Sequence, residues 1–310
     1  MQIYLCPARR LYGMSILRIA IICGRRIQIN LCPARRLYGI AILRIAIIRG
    51  RRIQINLCPA RRLYGIIDFV KRAVYKIFYF FVKLFYPKTE FVGQENLPDG
   101  PCIVASNHCQ MHGPIANMLY YPRKKRIWCI GEMMHMKEVP AYAYRDFWSL
   151  KPAGIRWFFK ILSYIIAPFA ECIFQSADTI GVYHDRRISQ TFKESAEALK
   201  DGSDLVIFVE AHIPHNNIVF EFQKGFVDVA RLYHKDTGRE IPFVPMYVCP
   251  AFKKVYIGRP VSYDSTRPAH DERVRISEYL MDEVTRMGRS LPRHTVVPFE
   301  NVSKDKYPEN

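Results

Sequence analysis

The sequence predicts an α/β domain with a mostly parallel central sheet flanked by helices, preceded by an N-terminal amphipathic helix suited to a membrane surface. Three observations carry this expectation. Short apolar runs such as "PCIVASN", "DLVIFVE" and "IPFVPMYV" alternate over residues 88–290 with longer stretches of helical periodicity, the pattern of parallel strands joined by crossover helices. The segment Ile66–Tyr86, "IIDFVKRAVYKIFYFFVKLFY", is dense in aromatics yet carries Lys71, Arg72, Lys76 and Lys83. Upstream of it lies a repetitive, arginine-rich stretch of quite different character.

Residues 1–65 are a tandem repeat of period 26: "LCPARRLYG" begins at Leu5, Leu31 and Leu57, and residues 5–30 match 31–56 at 23 of 26 positions. That period falls within the leucine-rich-repeat range. Fewer than three copies are present and the Leu-x-x-Leu-x-Leu spacing is absent, so a solenoid is not expected. Near-identity points to a recent duplication, a translated repetitive element outside the fold, with a basic amphipathic membrane peptide as the competing reading. The stretch "MSILRIAIIC" imitates a signal-peptide core, but Arg18 interrupts it and no small-residue cleavage site follows. The repeat also explains the chain's formal charge of +18, which would otherwise suggest nucleic acid or an anionic membrane. Residues 1–66 hold 13 arginines and no acidic residue, while the remaining 244 carry 33 basic and 28 acidic side chains, a net of +5. The body is only mildly basic, and nucleic acid is not expected as its partner.

The body reads element by element. A spanning helix needs about 20 residues nearly free of charge, so residues 66–87 read as a helix lying in the membrane interface, with aromatics in the headgroup layer and lysines reaching outward. Pro87 ends it. "PCIVASN" is a buried strand, followed by a helix from about Pro114 to Tyr121 and a second strand, "RIWCIGE". The apolar stretch 154–174 fits a buried or an interfacial helix equally, and Arg156, Lys160, Pro168 and Glu171 argue against a span. "TIGVYH" is a third strand, leading into a helix over 188–200 with Ile188, Phe192, Ala196 and Leu199 at helical spacing. "DLVIFVE", "IPFVPMYV" and "KKVYIG" complete six strands, with amphipathic helices near 222–235 and 269–289. Residues 291–310 read as a tail.

Of the nine cysteines, Cys102, Cys109, Cys129, Cys172 and Cys249 lie in the body, irregularly spaced and without a Cys-x-x-Cys pair. Reduced thiols in a cytoplasmic setting fit best. In parallel sheets ligands gather beyond the carboxyl ends of strands, and Asn107–His108 and Glu210 both fall there. The loops "SNHCQMHGPI" and "EAHIPH" together offer His108, His112, Glu210, His212 and His215. Imidazoles with a carboxylate suit zinc, so a metal-dependent hydrolase is a competing reading. No glutamate separates His108 from His112 as in metalloprotease helices, and no metal is expected. Cys109 reads as a packed thiol, and Met111, Met133, Met134 and Met136 as core or acyl-chain lining.

These blocks, in this order, resemble the glycerolipid acyltransferases, the family that makes lysophosphatidic and phosphatidic acid. Asn107 and His108 match the Asn-His that opens its first block, where Gly113 stands in place of the block's aspartate; "GVYHDR" is similar to the second block through Gly181, Tyr183 and Arg186. "FVEAHI" matches the third in Phe208 and Glu210, and Val244-Pro245 the fourth, so the resemblance spans roughly residues 88–262. It implies an acyltransferase-like domain over 88–290. His108 would be the general base that deprotonates an acceptor hydroxyl as it attacks an acyl thioester, and Arg186 the anchor for the acceptor's phosphate. Glu210 would supply the carboxylate missing at position 113 and orient the imidazole, with His112 acting through a water as a second candidate. Asn107, His112, Gly181, His212 and His215 would contact substrate. No tightly held cofactor is implied; the co-substrate is acyl coenzyme A or acyl carrier protein. The resemblance further implies peripheral or monotopic attachment to a lipid surface at the cytoplasmic face of the cell membrane. A lipid-binding protein that has lost catalysis is the competing reading on the same fold.

Overall fold

A computed structural model describes residues 68–149 and 151–310 in full, the backbone of 60–67, and three short strands nearer the N-terminus. The chain divides into two units, Met1–Val70 and Lys71–Asn310. In the first, β1 (Gln2–Tyr4), β2 (Gln28–Leu31) and β3 (Ile55–Leu57) pair in parallel. Each residue faces its counterpart one repeat away, Gln2 opposite Gln28 and Ile29 opposite Ile55. The register of this short ladder is the 26-residue period of the repeat. The rest of the repeat expected over 1–65, with Cys6, Cys23, Cys32 and Cys58, lies outside the described residues.

Helix α1 (Ala60–Phe85) covers the expected interfacial segment and starts earlier than Ile66. The second unit then runs β4 (Glu90–Val92), β5 (Ile103–Ser106), α2 (His112–Tyr120), β6 (Lys125–Ile130), α3 (Val139–Ala143) and α4 (Arg156–Ser176). It continues with β7 (Thr179–Val182), α5 (Ile188–Lys200), β8 (Asp204–Phe208), β9 (Glu210–Pro214), β10 (Phe220–Phe222) and α6 (Asp228–Thr237). Last come β11 (Pro242–Cys249), β12 (Lys254–Ile257), β13 (Val261–Ser262) and α7 (Ala269–Ser290). The central sheet has the order β4-β12-β11-β5-β8-β6-β7, with β13 added to β11. Only the β11–β12 and β11–β13 pairs are antiparallel. The expected fold class is the observed one.

Period-two alternation decides which residues fill which core. Ile103, Ala105, Leu205, Ile207, Phe243 and Tyr247 enter a cluster covered by α5, α6 and α7, through Leu199, Val229, Tyr233, Ile276 and Leu280. Their neighbours Cys102, Val104, Val206, Val244 and Met246 enter a second cluster on the other face, with Ala116 of α2 and Tyr86 beyond α1. Each fully buried aliphatic or aromatic side chain of this kind contributes about 1.5–3 kcal/mol. The five body cysteines are free thiols, three of them buried.

Two departures from expectation bear on the site. The strand "DLVIFVE" stops at Phe208, and Glu210 opens a separate antiparallel ribbon, β9–β10, beyond the sheet's edge. Residues 291–310 do not trail away: Val296 is buried, and the Val296 N–H donates to the Pro308 carbonyl at 2.8 Å.

Helix α4 resolves the choice between a buried and a surface helix. Only Ser163, Ala167 and Ala170 are buried, while Trp157, Ile161, Tyr164 and Phe169 are each more than half exposed. Ile77, Phe80, Leu84 and Phe85 of α1 are exposed to a similar degree. Lys71 joins the two helices, donating to Glu171 at 3.2 Å and Gln175 at 2.7 Å. Large apolar side chains left in contact with water on this scale mark an interaction surface. Residues Ala153–Ser176 also have the length and composition of a membrane-crossing helix.

Candidate active site

The loop between β5 and α2 sits at the carboxyl edge of the sheet, and its first residue explains how the chain leaves it. β11 runs parallel to β5, with Met246 opposite Ser106, so Val248 extends past the end of β5. Asn107 fills that gap with its side chain. The Val248 N–H donates to Asn107 Oδ1 at 2.7 Å, and Asn107 Nδ2 donates to the Val248 carbonyl at 3.2 Å. An amide side chain thus replaces a peptide in the ladder and frees the backbone to turn. Nδ2 also donates to Cys109 Sγ at 3.0 Å. The expectation that Asn107 contacts substrate is corrected: its polar atoms are spent inside the protein, and it positions the residue after it.

The turn that follows is strained. Cys109 (φ 48°) and Gln110 (φ 52°) are successive non-glycine residues in the left-handed region, at about 1–3 kcal/mol each. The Cys109 thiol is buried and donates to the Val248 carbonyl, and burial pushes its pKa well up; it is a packed thiol as expected. Glu210 braces the turn from β9. Its Oε2 accepts the His108 N–H at 2.6 Å and its Oε1 the Phe220 N–H at 3.0 Å. Burial raises the Glu210 carboxyl from 4.5 to about 7, with those two main-chain donors pulling the other way.

That geometry corrects the role expected of Glu210. Its carboxylate holds the main chain of His108 and makes no hydrogen bond to the ring. His108 Nδ1 is buried without a partner. The ring packs near Phe208 and Phe299, at centroid distances of 5.0 and 5.6 Å. Burial holds the imidazole below its ordinary pKa, partly offset by main-chain groups of Gln110 and of His108 itself. The second candidate partner is engaged elsewhere, with His112 Nδ1 lying 3.2 Å from the Tyr86 hydroxyl.

Gly113 shows why no carboxylate stands at its position. Its N–H donates to the His108 carbonyl at 3.1 Å. A Cβ there would meet that same oxygen at 2.5 Å and the Phe208 ring at 2.8 Å. The loop has collapsed into the volume a side chain would occupy, and only glycine fits.

The other expected site residues divide. β7 lies three strand steps from β5, roughly 14 Å at the usual spacing, and its loop carries Arg186 on the same edge. Arg186 is exposed, and among the described residues its guanidinium has neither ion pair nor hydrogen bond. Its neighbour Arg187 is locked, bonding Glu138 at 2.9 and 3.1 Å and lying over the Tyr183 ring at 4.1 Å. Gly181 serves packing: a Cβ there would meet Met134 Sδ at 2.8 Å. Met133 joins a small cluster with Val139, Ala167 and Ala170, while Met111 and Met136 are largely exposed. His212 is exposed with its ring 4.7 Å from that of Phe299, and His215 is exposed in the β9–β10 loop. Among the described residues, no three His, Cys, Asp or Glu side chains converge as a metal site would require.

Sequence reasoning missed Gln110, Phe299 and Tyr307. Gln110 donates from Nε2 to the Glu300 carbonyl at 3.0 Å and accepts the Tyr307 hydroxyl at 3.1 Å. The available signal was a cluster of apolar and aromatic residues, Val296, Val297, Phe299 and Tyr307, in an otherwise polar tail.

The sequence profile of the family described as Acyltransferase matches residues 88–249. No curated protein matches the chain significantly. Among solved structures, the chain is similar to the crystal structure of the 1-acyl-sn-glycerophosphate (LPA) acyltransferase PlsC from Thermotoga maritima. That likeness has 16% identity and a TM-score of 0.38, covering 74% of this chain and 83% of that one.

Proposed function

The chain belongs to the acyltransferase family, and we propose on that premise that it moves a fatty acyl group from a thioester donor to the hydroxyl of a glycerol-phosphate-type acceptor in phospholipid synthesis. The donor is acyl coenzyme A or acyl carrier protein. The observation that supports this reading best is the state of His108: it stands at the carboxyl end of a central strand within the matched residues, and burial keeps it neutral. Among the described residues its Nδ1 is buried without a hydrogen-bond partner, which leaves Nε2 for the acceptor. Nε2 takes the hydroxyl proton as the acceptor oxygen attacks the thioester carbonyl carbon. The tetrahedral adduct then collapses, the C–S bond breaks, and the leaving thiolate receives the proton back from the imidazolium. Arg186, with its guanidinium free, holds the acceptor's phosphate through paired hydrogen bonds.

The missing partner on Nδ1 has a cost. A base at Nε2 carries its proton on Nδ1, and a buried donor without an acceptor costs about 1–3 kcal/mol, a slowing of roughly 5- to 160-fold. The reading therefore includes a modest turnover. The same observation favours one second reading, a protein that binds acyl chains on this fold without transfer. Thioester consumption by wild type with a panel of phosphorylated acceptors separates the two. His108→Ala is expected to lower transfer by about 10²–10⁴ with the fold intact. Full activity in that variant sinks the mechanism, and acyl binding without transfer in wild type favours the second reading.

The apolar faces of α1 and α4, flanked by Arg72, Lys76, Lys83 and Lys160, support peripheral or monotopic attachment to the cytoplasmic face of the cell membrane. Each basic residue near an anionic surface adds roughly 1 kcal/mol. Flotation with phosphatidylglycerol vesicles is expected at low salt and reduced at high salt. A chain that stays with the soluble fraction at low salt overturns the attachment.

A further inference from the structure

Segment 291–310 is built as a strap with firm ends and a tip on the His108 loop. At its base, His294 is buried, with Nε2 3.0 Å from the Tyr247 hydroxyl and Nδ1 2.8 Å from the Pro292 carbonyl. Asn310 donates from Nδ2 to the carbonyls of Gly288 and Leu291, and its Oδ1 accepts the His294 N–H at 2.8 Å. The bond from the Val296 N–H to the Pro308 carbonyl then closes a loop between them. A surface tail does not need this many internal bonds. They give residues 297–307 a fixed place.

The tip grips the strained turn. Both polar ends of the Gln110 amide are taken by the strap, through the Glu300 carbonyl and the Tyr307 hydroxyl. Gln110 has left-handed backbone, a conformation that persists only where the surroundings hold it. Phe299 meets the His108 ring edge-on, at 5.6 Å and 71°. Phe299 is also packed against Phe220 and His212, so its own ring is not free to swing.

We propose that residues 296–308 position the base: the Gln110 clamp holds the turn, and Phe299 with Phe208 fixes the plane of the His108 ring, whose Nδ1 has no hydrogen-bond partner to do so. Gln110, Phe299 and Tyr307 are positioning residues, since they act through His108. The proposal rests on the reading of His108 as the base, and its test includes a measurement that does not depend on turnover.

Tyr307→Phe removes one hydroxyl and leaves the packing. Gln110→Ala removes the clamp, and Phe299→Ala and Phe299→Leu separate loss of the ring from loss of bulk. Rates are measured against acceptor concentration, and the His108 ring is titrated by NMR in the full chain. The titratable neighbours to account for are Glu210 and Cys109 at the turn, and His212 with Glu300 beside Phe299. Positioning predicts that kcat falls about tenfold in Tyr307→Phe and Gln110→Ala and on the order of a hundredfold in Phe299→Ala. KM stays within about twofold, and Phe299→Leu recovers part of the loss. The His108 pKa rises toward its ordinary value in Phe299→Ala as water reaches the ring. A higher kcat or a lower KM in Phe299→Ala means that the strap obstructs the site, which overturns the proposal. An unchanged His108 pKa in that variant overturns it too, whatever the rates. Absence of transfer in wild type sinks the proposed function, and this inference with it.

Discussion

Two loops leave the same edge of the sheet and are built in opposite ways. The β5–α2 loop is tied down at nearly every residue. Asn107 is bonded to β11, His108 N–H to Glu210, Gln110 to the strap and Gly113 N–H to the His108 carbonyl. The β7–α5 loop is exposed at His184, Asp185 and Arg186; Asp185 and Arg187 bond each other, Arg187 bonds Glu138 as well, and the Arg186 guanidinium has no partner among the described residues. Under the proposed function the braced loop carries the proton-transfer group, which must sit within a fraction of an ångström of its target. The open loop, under the same function, carries the guanidinium, whose charge and planar fork meet a phosphate that arrives from solvent. On that reading the braced loop holds the base and the open loop the anion site.

The largest effect expected from breaking this contrast is at Gly113. Gly113→Asp, which restores the carboxylate of the resembling family, should destabilise the protein by about 1–3 kcal/mol through overpacking and lower the rate, because its Cβ runs into the His108 carbonyl. Denaturant midpoints and initial rates check this. A faster enzyme with an unchanged midpoint would show that the loop yields.

Glu210 sharpens the comparison through pH. The folded carboxyl titrates near 7 and the unfolded one near 4.5, so between those values the folded state holds a proton that the unfolded state releases. This group's contribution to stability therefore falls as pH rises through that window, by roughly 3 kcal/mol in all, and is level above about 7. Glu210→Gln should flatten the stability profile between pH 5 and 7. One of the two amides loses its acceptor, so the rate should fall as well. An identical pH profile in the variant argues against a buried, proton-exchanging Glu210.

At the open loop, Arg186→Ala should raise KM for the phosphorylated acceptor by roughly 10- to 100-fold with little change in kcat. Arg186→Lys should recover little of it, since an ammonium lacks the fork. An unchanged KM moves the anion site elsewhere. The smallest effect belongs to Arg187→Ala, whose half-exposed ion pairs are worth about 1 kcal/mol or less. A large rise in KM there would exchange the roles of the two arginines.

How much of this was legible follows from the range of the interactions. The six strands and the helices over 188–200 and 269–289 were readable because periodicity is a local signal, set by which face of each element is buried. His108 and Arg186 were found from ordered short blocks. Glu210 was found but misassigned: a break at Val209 turns the chain out of β8, and no local pattern announces where a carboxylate then points. The strap was missed altogether, because residues 291–310 have no period and their partners lie elsewhere in the sequence, Tyr247 47 residues from His294 and Gln110 190 from Glu300.

The sequence by itself determined the α/β class and the ordered acyltransferase blocks that single out His108 and Arg186, each a property of neighbouring residues. Only the tertiary structure decided what surrounds His108. Asn107 proved to be a scaffold amide, Glu210 a main-chain brace, Gly113 a steric requirement, and the tail a strap. Each of those roles is a contact between elements distant in the chain, made when the sheet brings their ends to one edge, and spacing along a sequence does not encode it.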